Sequence, residues 1–279
     1  MPIRNWKRIG TWLWLIEFLF GLWPVFGAER WQNGSGFRFR SLPVPASGKT
    51  GFTELTSQQT GVAFTNILGR TNAALNQILL NGSGVAAGDV DGDGWCDVYF
   101  CRLEGPNALY RNRGDWTFED ITAAAGVACD GQFSTGAALV DLEGDGDRDL
   151  LVNSVGGGTR CFLNDGKGHF TEAQNSGLVR QLGSTSMALA DIDGDGDLDL
   201  YVANYRTTTI RSTGFELLNV NGQRMLRPED RDRLYVTPDG FLREHGEVDA
   251  FYLHDGKGHF QQMSWTDGRF KDAKGNVLT

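Results

Sequence analysis

Three stretches of the chain repeat one pattern of apolar and acidic positions. They read GVAAGDVDGDGWCDVYFCR from Gly84, TGAALVDLEGDGDRDLLVNS from Thr135 and SMALADIDGDGDLDLYVAN from Ser186. In each, small residues run into an acidic glycine loop, and a β-branched or aromatic run follows. Both flanks have the period and composition of strands. The first loop aspartates, Asp89, Asp141 and Asp191, lie 52 and 50 residues apart. A second element follows each loop: NALYRNRGDWTFEDIT from Asn107, TRCFLNDGKGHFTEA from Thr159 and DAFYLHDGKGHFQQM from Asp249. Its aromatic start, its Asn/Asp-Gly turn at Asn164-Asp165-Gly166 or Asp255-Gly256, and its closing phenylalanine predict a hairpin.

The register holds through the repeats. Tyr110 and Phe162 each lie 21 residues after their loop aspartate, whereas Tyr252 lies 61 after Asp191, so the third unit carries an insertion of 40 residues at about 206–248. Four strands in about 50 residues is the spacing of a propeller blade, with small residues suited to the crowded innermost strand. The sequence therefore predicts an all-β fold, a partial β-propeller of about three four-stranded blades with calcium loops. A β-sandwich with accidental internal similarity is the alternative architecture. The lead-in from Phe52 to Val62 resembles the segments at Phe118 and Phe170, which predicts a fourth-strand piece ahead of unit one.

Composition sharpens this picture. Glycine, 38 of 279 residues, is in excess while proline, at 7, is not, which fits many tight turns and excludes a collagen repeat. The net charge of −9 gives no general attraction to phosphate backbones, so nucleic acid is not an expected partner. Residues 1–27 read as an export signal, with Arg4, Lys7 and Arg8 ahead of an apolar run, followed by a linker at 28–50 and repeats from 51 to 279. No later segment is long and apolar enough to span a membrane. Export to a secreted, periplasmic or cell-surface location permits disulfides; the four cysteines allow three full pairings, buried free thiols are the alternative, and Cys101 with Cys129 is the pair chosen if a bond forms.

Fourteen of the 35 carboxylates fall in the three loops. The formula D-x-[DE]-G-D-G-x-x-D puts carboxylates at positions one, three, five and nine. These are Asp89, Asp91, Asp93 and Asp97 in loop one; Asp141, Glu143, Asp145 and Asp149 in loop two; and Asp191, Asp193, Asp195 and Asp199 in loop three. Position seven, Trp95, Asp147 or Asp197, offers a backbone carbonyl. Four carboxylates in nine residues repel unless a cation neutralises them, and hard oxygen donors in a flexible loop suit Ca²⁺. An EF-hand would need a bidentate Glu at position twelve, where Phe100, Val152 and Val202 stand. About three Ca²⁺ ions are expected.

These motifs resemble the calcium-binding FG-GAP/VCBS-type repeats of integrin α-subunit propellers. They are closer still to bacterial proteins similar to cartilage acidic protein, which carry a C-terminal ASPIC/UnbV-type domain. The resemblance covers about Gly51 to Phe270. It implies a closed propeller, commonly of seven blades, serving as an extracellular adhesion or recognition scaffold, with a protein or carbohydrate partner. Only three acidic loops and no such C-terminal domain are present, so the chain reads as an N-terminal fragment whose remaining blades come from further sequence. The expected function is an exported calcium-binding module in recognition, adhesion or scaffolding. A non-catalytic accessory propeller of an exported enzyme, such as a polysaccharide lyase, is the alternative. Catalysis is not expected: no G-x-S-x-G, H-E-x-x-H or P-loop string occurs, and His169 and His259 share one repeat position.

Overall fold

The computed structural model describes residues 32–39, 51–179, 181–264, 268, 269, 271, 274 and 275. The chain divides into two units, Met1–Thr53 and Glu54–Thr279. In the first, β1 (Gln32–Asn33) pairs antiparallel with β2 (Arg38–Phe39). The export signal expected at 1–27 lies outside the described residues.

The second unit opens with α1 (Ser57–Thr60), α2 (Arg70–Leu75) and a 3-10 turn over Gln77–Asn81. Blade one follows as β3 (Val85–Gly88), β4 (Asp97–Phe100), β5 (Ala108–Asn112) and β6 (Phe118–Asp120), then the helical turn α3 (Thr122–Ala125). Blade two is β7 (Phe133–Val140), β8 (Asp149–Val155), β9 (Gly158–Asn164) and β10 (Phe170–Glu172). Blade three starts with β11 (Ser184–Ala190) and β12 (Asp199–Asn204). Next come α4 (Ile210–Thr213) and two small hairpins, β13 (Leu217–Val220) with β14 (Gln223–Leu226), and β15 (Leu234–Val236) with β16 (Leu242–Glu244). The blade closes with β17 (Ala250–His254) and β18 (Phe260–Met263). Each blade is a four-stranded antiparallel sheet; the strands of blades one and two are sequential, and in blade three β12 pairs directly with β17 across the inserted hairpins.

The small residues of the first strands allow close approach. A Cβ added to Gly84 would stand 2.9 Å from the Cα of Gly136, the equivalent residue of blade two. The register of β7 on β8 shifts between Ser134 and Gly136, and that of β11 on β12 between Ser184 and Ser186, so the irregularity recurs at one repeat position. Core forms between blades. One cluster joins Tyr99 and Leu109 of blade one, and Val127 just after it, to Leu150, Val152 and Phe162 of blade two. A second joins Leu151, Cys161 and Leu178 to Leu200, Val202 and Tyr252. Such contacts between neighbours replace a single central core.

A glycine turn locks each joint. Gly126 and Gly177 follow the outer strands of blades one and two with left-handed φ of +77° and +78°. Their missing side chains leave room for the carbonyl of the next blade's outer strand: an added Cβ would stand 3.4 Å from Phe170 O and 2.0 Å from Phe260 O respectively.

Two expectations need correction. The lead-in forms α1 and closes on the left-handed Gly61, but no strand forms over 51–56. An outer strand needs the third strand of its own blade, which is not among the described elements. Cys101 and Cys129 are not bonded to each other, and all four cysteines are free thiols. Cys101 and Cys129 both lie in the apolar cluster around Tyr99, whose hydroxyl is 3.6 Å from the Cys129 sulfur.

Candidate metal centre

Each acidic loop folds around its own carboxylates in the same way. The position-one aspartate accepts backbone N–H groups from both loop glycines: Asp89 from Gly92 and Gly94 at 2.8 Å each, Asp141 from Gly144 and Gly146 at 2.8 and 3.1 Å, Asp191 from Gly194 and Gly196 at 2.7 and 3.2 Å. Position five accepts the N–H of position seven, at 2.8 Å for Asp93, 3.2 Å for Asp145 and 3.0 Å for Asp195.

Position nine is different. Asp97, Asp149 and Asp199 are at most 1% exposed, and each accepts two backbone N–H bonds. One comes from loop position two (Val90, Leu142, Ile192, all at 2.9 Å) and one from the end of the third strand (Asn112, Asn164, His254, at 2.8 to 3.0 Å). This carboxylate ties the loop to the far edge of its hairpin. Sequence reasoning missed Asn112, Asn164 and His254. Their signal was a polar residue 23 positions after each of the first two loop aspartates, two before the turn glycine.

Asn164 also bridges blades. Its side-chain amide donates to the carbonyl of Arg148 in its own loop at 3.0 Å and to that of Val90 in loop one at 2.8 Å. His254 stands in the same place in blade three, where Nε2 accepts the Gly258 N–H at 3.0 Å and the buried Nδ1 has no partner.

The loops differ in how they gather ligands. Oxygens of Asp89, Asp91 and Asp97 come within 4.8 Å of one another, as do those of Asp191, Asp193 and Asp195. Among the described residues, loop two gathers no such trio. Arg111, whose equivalents are Leu163 and Leu253, places a guanidinium nitrogen 3.7 Å from Asp91 while bonding Glu119 at 2.6 Å. Loop one therefore has a guanidinium from the third strand beside it, which the other two loops lack at that position.

Burial and crowding raise the pKa of certain loop carboxyls. Asp97 and Asp149 are pushed up by burial, against the pull of their backbone N–H bonds, and neighbouring loop carboxylates add to the rise. Glu143 is raised by burial and then by Asp145, Asp147 and Asp141. Asp147 is pushed up to about 6 by burial and by Asp145 and Asp149, and its buried Oδ1 has no hydrogen-bond partner. An orphaned carboxylate oxygen among like charges fits a bound cation, and an all-oxygen donor set fits Ca²⁺. At position seven the Asp147 and Asp197 side chains lie against the hairpin glycines Gly166 and Gly256, whereas Trp95 lies against Gly114.

The FG-GAP-like repeat family matches at residues 89–152 and 141–202, each match running from one acidic loop through the next. The chain is similar to cartilage acidic protein 1 of Homo sapiens, at 38% identity over 82 residues, covering 29% of this chain and 12% of that protein. The proteins of that name from Xenopus tropicalis and Mus musculus match over equal lengths at 37% and 35% identity, with 13% of each covered. The matched stretch is thus a small part of those relatives. Loop spacing, loop geometry, sheet order and family match agree: residues 89–202 are FG-GAP-like repeats, built into the blades of a partial β-propeller.

Proposed function

We propose that this chain is a calcium-binding propeller module that acts outside the cell in recognition, adhesion or scaffolding. The observation that carries the reading is the gathering of three carboxylates in loop one and again in loop three, on one backbone scheme that loop two shares. In this reading Ca²⁺ neutralises the crowded oxygens, with Asp89, Asp91, Asp93 and Asp97 and their equivalents as side-chain ligands. The ion's role is to stiffen the turn between the first two strands of each blade. The module is non-catalytic. His169 and His259 pair with Asp165 and Asp255 at 3.4 and 3.3 Å inside matching hairpin turns, a structural use of both.

Calorimetric titration tests the reading. Expected are about three ions per chain, with a melting temperature raised in millimolar Ca²⁺, because binding to the folded form adds RT ln(1 + [L]/Kd) to stability. Coincident melts in Ca²⁺ and in chelator would overturn it.

A further inference from the structure

Blade one departs from the other two blades in the charge around its acidic loop. Position seven is Trp95, where loops two and three have Asp147 and Asp197, so loop one has four carboxylates and the others five each. On and just after the third strand, Arg111 stands where the other blades have Leu163 and Leu253, and Arg113 where they have Asp165 and Asp255. On the fourth strand, Glu119 stands where they have Thr171 and Gln261.

These departures meet in one network. Arg111 and Glu119 are direct partners in the register of β5 and β6. One terminal nitrogen of Arg111 lies 2.6 Å from a Glu119 oxygen, and a nitrogen of Arg113 lies 2.9 Å from that same oxygen. The other terminal nitrogen of Arg111 lies 3.7 Å from Oδ2 of Asp91. Asp91 is one of the three carboxylates that loop one gathers, with Asp89 and the buried Asp97. The guanidinium fork thus spans from the outer strand to the acidic loop, while the leucines at its place in blades two and three bring no charge to theirs.

We infer that Arg111 is a resident counter-ion of loop one, which competes with the metal for Asp91 and lowers the calcium affinity of that loop. The inference rests on the calcium reading of the loops and names the residue that tunes one of them. Two cations against one carboxylate repel each other, so an entering ion works against the guanidinium. Glu119 gives the guanidinium somewhere to stay: Arg111 can give up Asp91 and remain paired on the outer strand. Loop one is therefore partly neutralised before metal arrives, and it fills at a higher Ca²⁺ concentration than its own carboxylates would set.

The competing role for Arg111 is a tie between β5 and β6 through Glu119, and the two roles differ in what they predict for metal binding. Calcium calorimetry on the full chain carrying Asp145→Ala and Asp195→Ala, which leaves loop one with all its carboxylates, tells them apart. Adding Arg111→Leu, the residue of the other blades, should tighten the remaining site at least about fivefold, the size of effect one charge exerts at a partly exposed site. Arg111→Lys keeps a positive charge and should stay within about twofold of the double variant. Affinity that is unchanged or weaker in Arg111→Leu, or that tightens equally in Arg111→Lys, overturns the inference and leaves Arg111 a strand tie. A wild-type chain that takes up no Ca²⁺ overturns the calcium reading and the inference with it. A wild type that takes up Ca²⁺, beside an Arg111→Leu variant of unchanged affinity, overturns the inference alone. If Arg111→Leu does not fold, Arg111→Gln, which keeps a donor for Glu119 and drops the charge, replaces it under the same criteria.

Discussion

At the scale of single residues, the carboxylates of one loop do different work. Asp199 is buried and satisfies two backbone N–H groups, whereas Asp195 is exposed and satisfies one. Asp199→Ala should cost about 2–4 kcal/mol even in chelator, because two buried donors lose their acceptor. Asp195→Ala should cost less than about 1 kcal/mol in chelator and remove one calcium site. Chemical denaturation with and without Ca²⁺ checks both. The thiols divide as sharply. Burial pushes Cys101 and Cys161 up to about 12 and raises Cys129, while Cys96 is exposed. Native alkylation near pH 8 should label Cys96 alone, as thiolate and access both govern the rate; mass spectrometry reads the outcome. The loop positions were legible in the sequence because charge recurs at fixed spacing. The Cys101–Cys129 disulfide expectation failed because spacing says nothing of what surrounds a sulfur.

At the scale of elements, the glycine turns set blade spacing. Gly177→Ala would place a methyl 2.0 Å from Phe260 O at φ +78°, so the joint between blades two and three must open. We expect a loss of more than about 2 kcal/mol, against about 1 kcal/mol for Gly144→Ala, which also has positive φ but open space around it. Thermal melts of the two variants give the comparison. The strands of each blade were legible from alternation and turn residues. The joints were not, because Gly126 meets Phe170 and Gly177 meets Phe260 across 44 and 83 residues of chain. The lead-in misled for a related reason: its sequence is that of an outer strand, but a strand is defined by its partner.

At the scale of the whole molecule, Asp147 adds to stability without metal a pH dependence of the sense opposite to ordinary acid denaturation. Asp147 rises from its usual 3.8 to about 6 in the folded chain, so folding favours its protonated form. Its contribution is present in full below about pH 4 and is lost as pH rises through about 6. In chelator, wild type should lose stability relative to Asp147→Asn across that window, and Ca²⁺ should remove the difference. Parallel denaturant titrations at pH 4, 5, 6 and 7 measure it.

If the proposed calcium binding holds, the amide of Asn164 gives it a grain. One residue grips Asp149 through its backbone and the Val90 carbonyl through its side chain, and Val90 in turn donates to Asp97. Ordering either of the first two loops therefore prepares the other. The relay stops at blade three, where His254 Nδ1 finds no acceptor. The first two ions should then enter as a cooperative pair and the third on its own terms. Asn164→Ala should turn a two-phase binding curve into three unrelated events.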